Sequence, residues 1–166
     1  MRDDTHLKDA AALIERTRAG STPPIVKAFF DEPTFTASYV VHDPATREAA
    51  IVDSVLDFDQ PSGRTSNASA DAIADYVRAE GLTVAWILET HAHADHLSAA
   101  PYLQERLGGR IAIGRDILTV QNVFGKIFNE GTEFARDGSQ FDRLFEDGDT
   151  FAIGGISAVA LHVPGH

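Results

Sequence analysis

An α/β layered fold is predicted by three features of the chain. Short runs rich in β-branched and aromatic residues alternate with amphipathic helical stretches, the connections are short, and glycine or proline marks most of the breaks. Residues 25–29, 37–41 and 49–52 read as strands, separated by the turns Asp31-Glu32-Pro33 and His42-Asp43-Pro44. His42, beside a turn proline, is expected on the surface. Asp53 closes the third strand; its carboxylate could enter a site from the side, and a cap or a solvated turn is the expected role. Residues 57–69 are polar and turn-rich. Ser69 is placed to cap a helix that carries Asp71 in its first turn and Ile73, Tyr76 and Val77 on its apolar side, with Gly81 at its end. The apolar run Val84-Ala85-Trp86-Ile87-Leu88 has the length of a buried strand. Residues 97–107 have helical spacing, with Pro101 near the first turn and Gly108-Gly109 as the stop. Residues 110–113 form another short strand. Residues 117–128 predict an amphipathic helix with Val120, Val123, Phe124 and Ile127 as its apolar side. Asp147-Gly148-Asp149 is a turn, and strands near 150–153 and 156–162 flank Gly154-Gly155.

A chain of 166 residues, 43% apolar and 23% charged, is expected to hold one soluble domain with a real core, over residues 25–166. Residues 1–24 read as an appended polar arm. Within it Leu7, Ala10, Ala11 and Ile14 lie on one helical face before Gly20-Ser21-Thr22-Pro23-Pro24 breaks the pattern. A net charge of -11, without any cluster of Lys and Arg, argues against nucleic-acid and anionic-membrane partners. The absence of cysteine excludes disulfides, thiolate ligands and cysteine nucleophiles, so a metal here must use nitrogen and oxygen donors. Met1-Arg2-Asp3-Asp4 lacks the apolar stretch of a secretion signal, and no run reaches membrane-spanning length, which makes the cytoplasm the expected location.

The chemistry concentrates in Glu89-Thr90-His91-Ala92-His93-Ala94-Asp95-His96. This stretch falls on the loop between the buried strand and the following helix, so it is free of strand alternation and its side chains can converge on one point. Neutral imidazole suits zinc, iron and similar metals, and a carboxylate can ligate, orient a ligand or take a proton. A polar loop with scattered histidines is the bland alternative, and three imidazoles within six residues speak against it.

His-x-His-x-Asp-His after an apolar strand resembles the metal motif of the metallo-β-lactamase superfamily. The wording from Glu89 to Ser98 is most similar to the persulfide (sulfur) dioxygenase branch and its bacterial β-lactamase-like relatives. The ending Val163-Pro164-Gly165-His166, leaving a strand, resembles the family's next ligand. The resemblance runs from about residue 25 to the last residue. It implies the N-terminal part of an αββα sandwich with the C-terminal half missing. In the two-metal members of the family, His91, His93 and His166 would hold the first metal, and Asp95 and His96 would help hold the second. In the dioxygenase branch a single Fe(II) would be held by His91, His166 and an aspartate further on, which this chain does not contain. His93, Asp95 and His96 would then orient ligands and handle protons. Asp95 and His96 are the candidate catalytic groups.

Three readings follow. The first is a non-haem Fe(II) persulfide dioxygenase that oxidises a small-molecule thiol persulfide, such as glutathione persulfide, to sulfite. The second is a hydrolase with one or two Zn ions acting on thioesters, similar to glyoxalase II. The third is a truncated, non-catalytic chain that binds metal weakly. A homo-oligomer is compatible with each of them. Arg115, Lys126 and Arg136 are expected to be ordinary surface charges, and packing is the expected role of His162.

Overall fold

A computed structural model describes residues 8, 11–12, 14–15, 23–129, 131 and 134–163. The expected arm therefore lies largely outside the described residues, although positions 8, 11–12 and 14–15 are helical. His166 lies outside them altogether.

The framework is a six-stranded mixed sheet. Its strands are β1 (Ile25–Asp31), β2 (Thr36–His42), β3 (Glu48–Val52), β6 (Thr83–Leu88), β8 (Arg110–Gly114) and β9 (Arg143–Phe145), in that spatial order. The first two joins are antiparallel, and β3, β6, β8 and β9 run parallel. Parallel neighbours need crossover connections. Helix α1 (Ala68–Ala79) lies between β3 and β6, and α2 (Ala100–Leu107) lies between β6 and β8. Both helices pack on the same face. There Ile73, Ala74 and Val77 of α1 and Leu103 of α2 meet Val40, Ala49, Ile51, Val84, Ile87 and Ile111 of the sheet. Ile51, Ile73, Ile87 and Leu103 are at most 1% exposed, and each contributes about 1.5–3 kcal/mol by leaving water.

The opposite face is covered in part by a hairpin of β10 (Thr150–Ile153) and β11 (Ile156–Val159). Trp86 organises this second core with Ala50, Ala112, Phe145 and Ile153. Its indole N–H donates to the Ala152 carbonyl at 2.9 Å, and the Phe145 and Phe151 rings each lie 5.6 Å away. Burial on both faces explains why β6 reads as a continuous apolar run rather than as an alternation. A register shift between β3 and β6 falls at Ala49/Ala50.

Several elements differ from expectation for identifiable reasons. The polar stretch after Asp53 holds two strands, β4 (Val55–Asp59) and β5 (Arg64–Ser66), paired antiparallel. Leu97 and Ser98 are not helical. They form β7, which pairs with Val55 and Leu56 of β4 and takes the far end of the histidine loop out of helical register. Ser69 does not cap α1. The helix begins at Ala68, and Asp57 accepts hydrogen bonds from the Ser69 amide and hydroxyl, at 3.0 and 2.6 Å. Helix α3 (Ile117–Ile127) presents Val123, Phe124 and Ile127 outward, at 47%, 49% and 65% exposure, and buries Ile117, Gln121 and Gly125 instead. Gln121 and Gly125 face inward because the segment leading into β9 runs against them. Gln121 bonds Gln140 and the Gly138 amide, and Arg136 donates to the Gly125 carbonyl.

His42 is also misplaced by expectation. It is 1% exposed, because as the last residue of β2, paired with Ala49, it faces α1 with its ring against Tyr76. Asp43 is 2% exposed and accepts from the Ala45 amide, the Thr46 hydroxyl and the Gly155 amide, at 2.8, 2.9 and 2.7 Å. These bonds hold its carboxyl below the usual carboxylate range, and they fasten the turn of the β10–β11 hairpin to the main sheet. A Cβ on Gly154 would run into Thr46 Oγ1 and stand 2.7 Å from Asp43 Oδ2, at a backbone φ of +60°. Gly148 has φ of +84° but nothing within 4 Å of such a Cβ. Gly148→Ala should therefore lose only the backbone cost of about 1–2 kcal/mol, and Gly154→Ala at least twice that in urea denaturation. Equal losses would show that the hairpin is not pinned at Asp43.

Candidate metal centre

In parallel strands all carboxyl ends point to one rim, where α/β sheets place their ligands. At this rim β3 ends in Asp53 and β6 in Glu89, joined by the Asp53 amide donating to the Leu88 carbonyl at 2.9 Å. Asp53 takes a left-handed backbone, φ 50°, as the chain swings out of β3. Its carboxylate is neither a cap nor solvated. It accepts from the Thr90 amide (2.7 Å), the Thr90 hydroxyl (2.8 Å) and His93 Nε2 (3.0 Å). Glu89, 7% exposed, accepts from the same His93 nitrogen at 3.0 Å through Oε2 and from the Ser98 hydroxyl at 2.6 Å through Oε1. Sequence reasoning allowed Asp53 to enter the site from the side but favoured a cap or a solvated turn, and it named neither carboxylate as a partner of His93. Glu89 was visible as part of the motif, and only its spacing of four from His93 hinted at contact.

The three imidazoles stand in a row, with ring centroids 4.2 Å apart for His91 and His93 and 4.1 Å apart for His93 and His96. Donor counting fixes their tautomers. The Thr90 hydroxyl spends its proton on Asp53, so its 2.9 Å contact with His91 Nδ1 has the ring donating. The lone pair of His91 is then on Nε2. His96 Nδ1 lies 3.0 Å from the Leu97 carbonyl, which can only accept, so the lone pair of His96 is also on Nε2. That nitrogen is buried and has no hydrogen-bond partner. His93 donates through Nε2 and turns Nδ1 the other way round the ring. Asp95 is oriented by Thr36, whose hydroxyl is 3.2 Å from Oδ2. A chain of hydroxyls continues from Thr36 through Thr34 to Asp31, at 2.9 and 2.6 Å.

Of the five sequence-predicted ligands, His93, Asp95 and His96 form a compact group, His91 stands beside it through its ring contact with His93, and His166 lies outside the described residues. Ligand atoms of His93, Asp95 and His96 lie within 4.8 Å of one another. An orphaned buried imidazole nitrogen beside a carboxylate, in a chain without thiolates, fits a metal with nitrogen and oxygen preferences. A second group of Asp53, Glu89 and His93 is equally compact, but its atoms are spent on one another. Two further sequence expectations concern the same rim. Arg115 pairs with Glu146 at 2.6 Å on the surface, and His162 is exposed, 3.3 Å from Asp116 rather than packed.

Charge in the loop follows from these contacts. Burial disfavours the imidazolium of His93, but the hydrogen bonds and charges of Asp53 and Glu89 outweigh it and push His93 up to about 9. Burial works against the Asp53 carboxylate as well, yet its bonds to His93 and Thr90 hold it below the ordinary value. Asp95 is lowered chiefly by its own backbone amide, with help from His96, Thr36 and His93. A raised His93 stabilises the metal-free fold fully below its unfolded value near 6.5, and this contribution disappears as pH rises through about 9. The His93 ring resonances of the metal-free protein should titrate with a midpoint near 9, and Asp53→Asn should move that midpoint towards 6.5. A midpoint already near 6.5 in the unsubstituted protein would contradict the double carboxylate contact.

Comparison with known proteins agrees with this geometry. The profile of the metallo-beta-lactamase superfamily matches residues 31–166. A probable metallo-hydrolase of Burkholderia pseudomallei is 60% identical over 141 residues, covering 85% of this chain and 48% of that protein. The mitochondrial persulfide dioxygenase of Homo sapiens is 27% identical over 150 residues, covering 90% of this chain and 47% of the relative. Among solved structures, a metallo-beta-lactamase from Staphylococcus aureus superposes with a TM-score of 0.62 at 23% identity, over 87% of this chain and 36% of that one. The chain spans about half the length of the curated relatives it matches. With the fold, the histidine loop and the family profile in agreement, the chain belongs to the metallo-beta-lactamase superfamily.

Proposed function

We propose that the protein to which this chain belongs is a non-haem iron persulfide dioxygenase acting on a low-molecular-weight persulfide such as glutathione persulfide. The observation that carries this reading is the double carboxylate contact on His93. Its Nε2 is engaged by both carboxylates, which suits a ring that orients and donates rather than one that ligates. A single ion is then left to His91, through Nε2, with His166 and a carboxylate supplied by the rest of the protein. The similarity to a mitochondrial persulfide dioxygenase along 90% of the chain supports the same reading.

Bound iron would supply the redox chemistry that joins oxygen to the outer sulfur. The described residues do the rest. Thr90 fixes the His91 ring through Nδ1, so Nε2 has one direction. His93, with Nδ1 protonated, is placed to donate a hydrogen bond to an anionic sulfur or oxygen, and its positive charge is held in place by Asp53 and Glu89. Asp95 stays ionised, tethered by Thr36, and can accept a hydrogen bond that orients a ligand or the substrate. The net reaction consumes one oxygen molecule and one water per persulfide and yields thiol and sulfite.

A second reading, a zinc hydrolase acting on thioesters, is favoured by a different observation: the buried Nε2 of His96, without a partner, beside Asp95. Two zinc ions would supply Lewis acidity and an activated water with a pKa of roughly 7. His93 would then have to exchange its Nδ1 proton for metal. The 60% identical relative named as a probable metallo-hydrolase is consistent with it.

One experiment separates them. Loaded with Fe(II), the whole protein should consume oxygen with glutathione persulfide and release sulfite in equal amount, and His91→Ala should abolish this. Absence of oxygen uptake with iron bound would remove the dioxygenase reading. Two zinc ions per chain with thioester turnover would put hydrolysis in its place.

A further inference from the structure

The loop that carries the histidines begins at Glu89 and ends at Ser98, and these two residues hold one another. The Ser98 hydroxyl donates to Glu89 Oε1 at 2.6 Å, and the other oxygen of Glu89 accepts from His93, in the middle of the loop. The Ser98 oxygen also accepts from the Ala100 amide at 3.0 Å, the first residue of α2. Helix α2 has Ala99 at its N-cap position and no side-chain cap bond from it. Ser98 therefore serves that helix end in place of a conventional cap. The start of the loop is held separately, by Thr90 on Asp53. His93 is the point where both fastenings meet.

We propose that Glu89 and Ser98 are positioning residues: together they form a clasp that closes the histidine loop before any metal arrives and links the orientation of His93 to the first turn of α2. This rests on the loop being the metal centre, which both readings of the activity share, and on neither reading in particular. Three consequences follow from the contacts. Without the clasp, the loop keeps its Asp53 fastening but loses the one at its far end, so its order falls without unfolding the sheet. The His93 ring then has one acceptor instead of two and gains rotational freedom. The Ala100 amide, left with its hydroxyl acceptor removed, becomes free to exchange.

The test uses Glu89→Gln, Ser98→Ala and Ser98→Thr in the whole protein, with three measurements. Hydrogen exchange of the metal-free protein should show amides in residues 90–98 and Ala100 exchanging at least about fivefold faster in Ser98→Ala, the change expected for one lost hydrogen bond. Ser98→Thr, which keeps the hydroxyl, should restore the slow rate. Titration with Co(II), read by its visible absorption, should show affinity about 10–100-fold weaker in Glu89→Gln and Ser98→Ala, with an altered spectrum, and recovery in Ser98→Thr. The thermal unfolding midpoint reports on general damage and should move little for Ser98→Ala. Unchanged exchange in residues 90–98 and Ala100, or equal exchange in Ser98→Ala and Ser98→Thr, overturns the clasp. If the unsubstituted protein binds no Co(II), the metal reading fails, and the exchange of the metal-free protein still decides the clasp by itself.

Discussion

The site depends on two carboxylates sharing the Nε2–H of His93. Asp53 and Glu89 stand at the ends of β3 and β6, and they can meet on one ring only because those strands are parallel neighbours in register, Val52 beside Leu88. An antiparallel pairing would put the two ends on opposite rims. Burying two carboxylates is unfavourable unless each is paired and hydrogen-bonded, and here every contact that satisfies them comes from the histidine loop itself: Thr90, His93 and Ser98. The loop is ordered by what it offers the sheet, and the sheet's carboxylates are tolerated because the loop is there.

Much of this was legible because the signals are local. The apolar run of β6, the Pro101 start of α2 and the glycines after it, and the His-x-His-x-Asp-His spacing each act within a few residues. What escaped notice acts over longer range. Asp53 looks like any acidic residue at a strand end, and its partners are Thr90 and His93, 37 and 40 residues later. Asp57 displaces Ser69 from the cap of α1 from twelve residues upstream. Leu97-Ser98 has helical spacing, yet pairing with β4 overrides it.

Helix α3 shows a different limit. Its amphipathic pattern is real, but which side faces inward depends on the neighbour. Gly125 allows the Arg136 guanidinium to lie against the helix backbone, and Gln121 satisfies a loop amide, so a small and a polar residue occupy the inner side. Periodicity identifies a helix and its stripe, whereas the partner decides the orientation. The same holds for His42, polar and close to a proline, whose burial follows from where Tyr76 of α1 packs on the sheet.

The balance of charge in the loop explains why an acidic chain can serve a cation centre without collapsing its own geometry. Asp53, Glu89 and Asp95 bring three negative charges to the rim, and His93, held protonated up to about 9, returns one. Without His93, Asp53 and Glu89 would face one another with only Thr90 and Ser98 as donors. With His93 clamped between two of them, Asp95 is the carboxylate grouped with His93 and His96, and it is tethered by Thr36. The imidazolium thus acts as a resident cation that keeps the carboxylates gathered. In the one-metal case it stays in place. In the two-metal case its Nδ1 proton is what an incoming metal would have to displace, so the two proposed readings ask opposite things of the same ring.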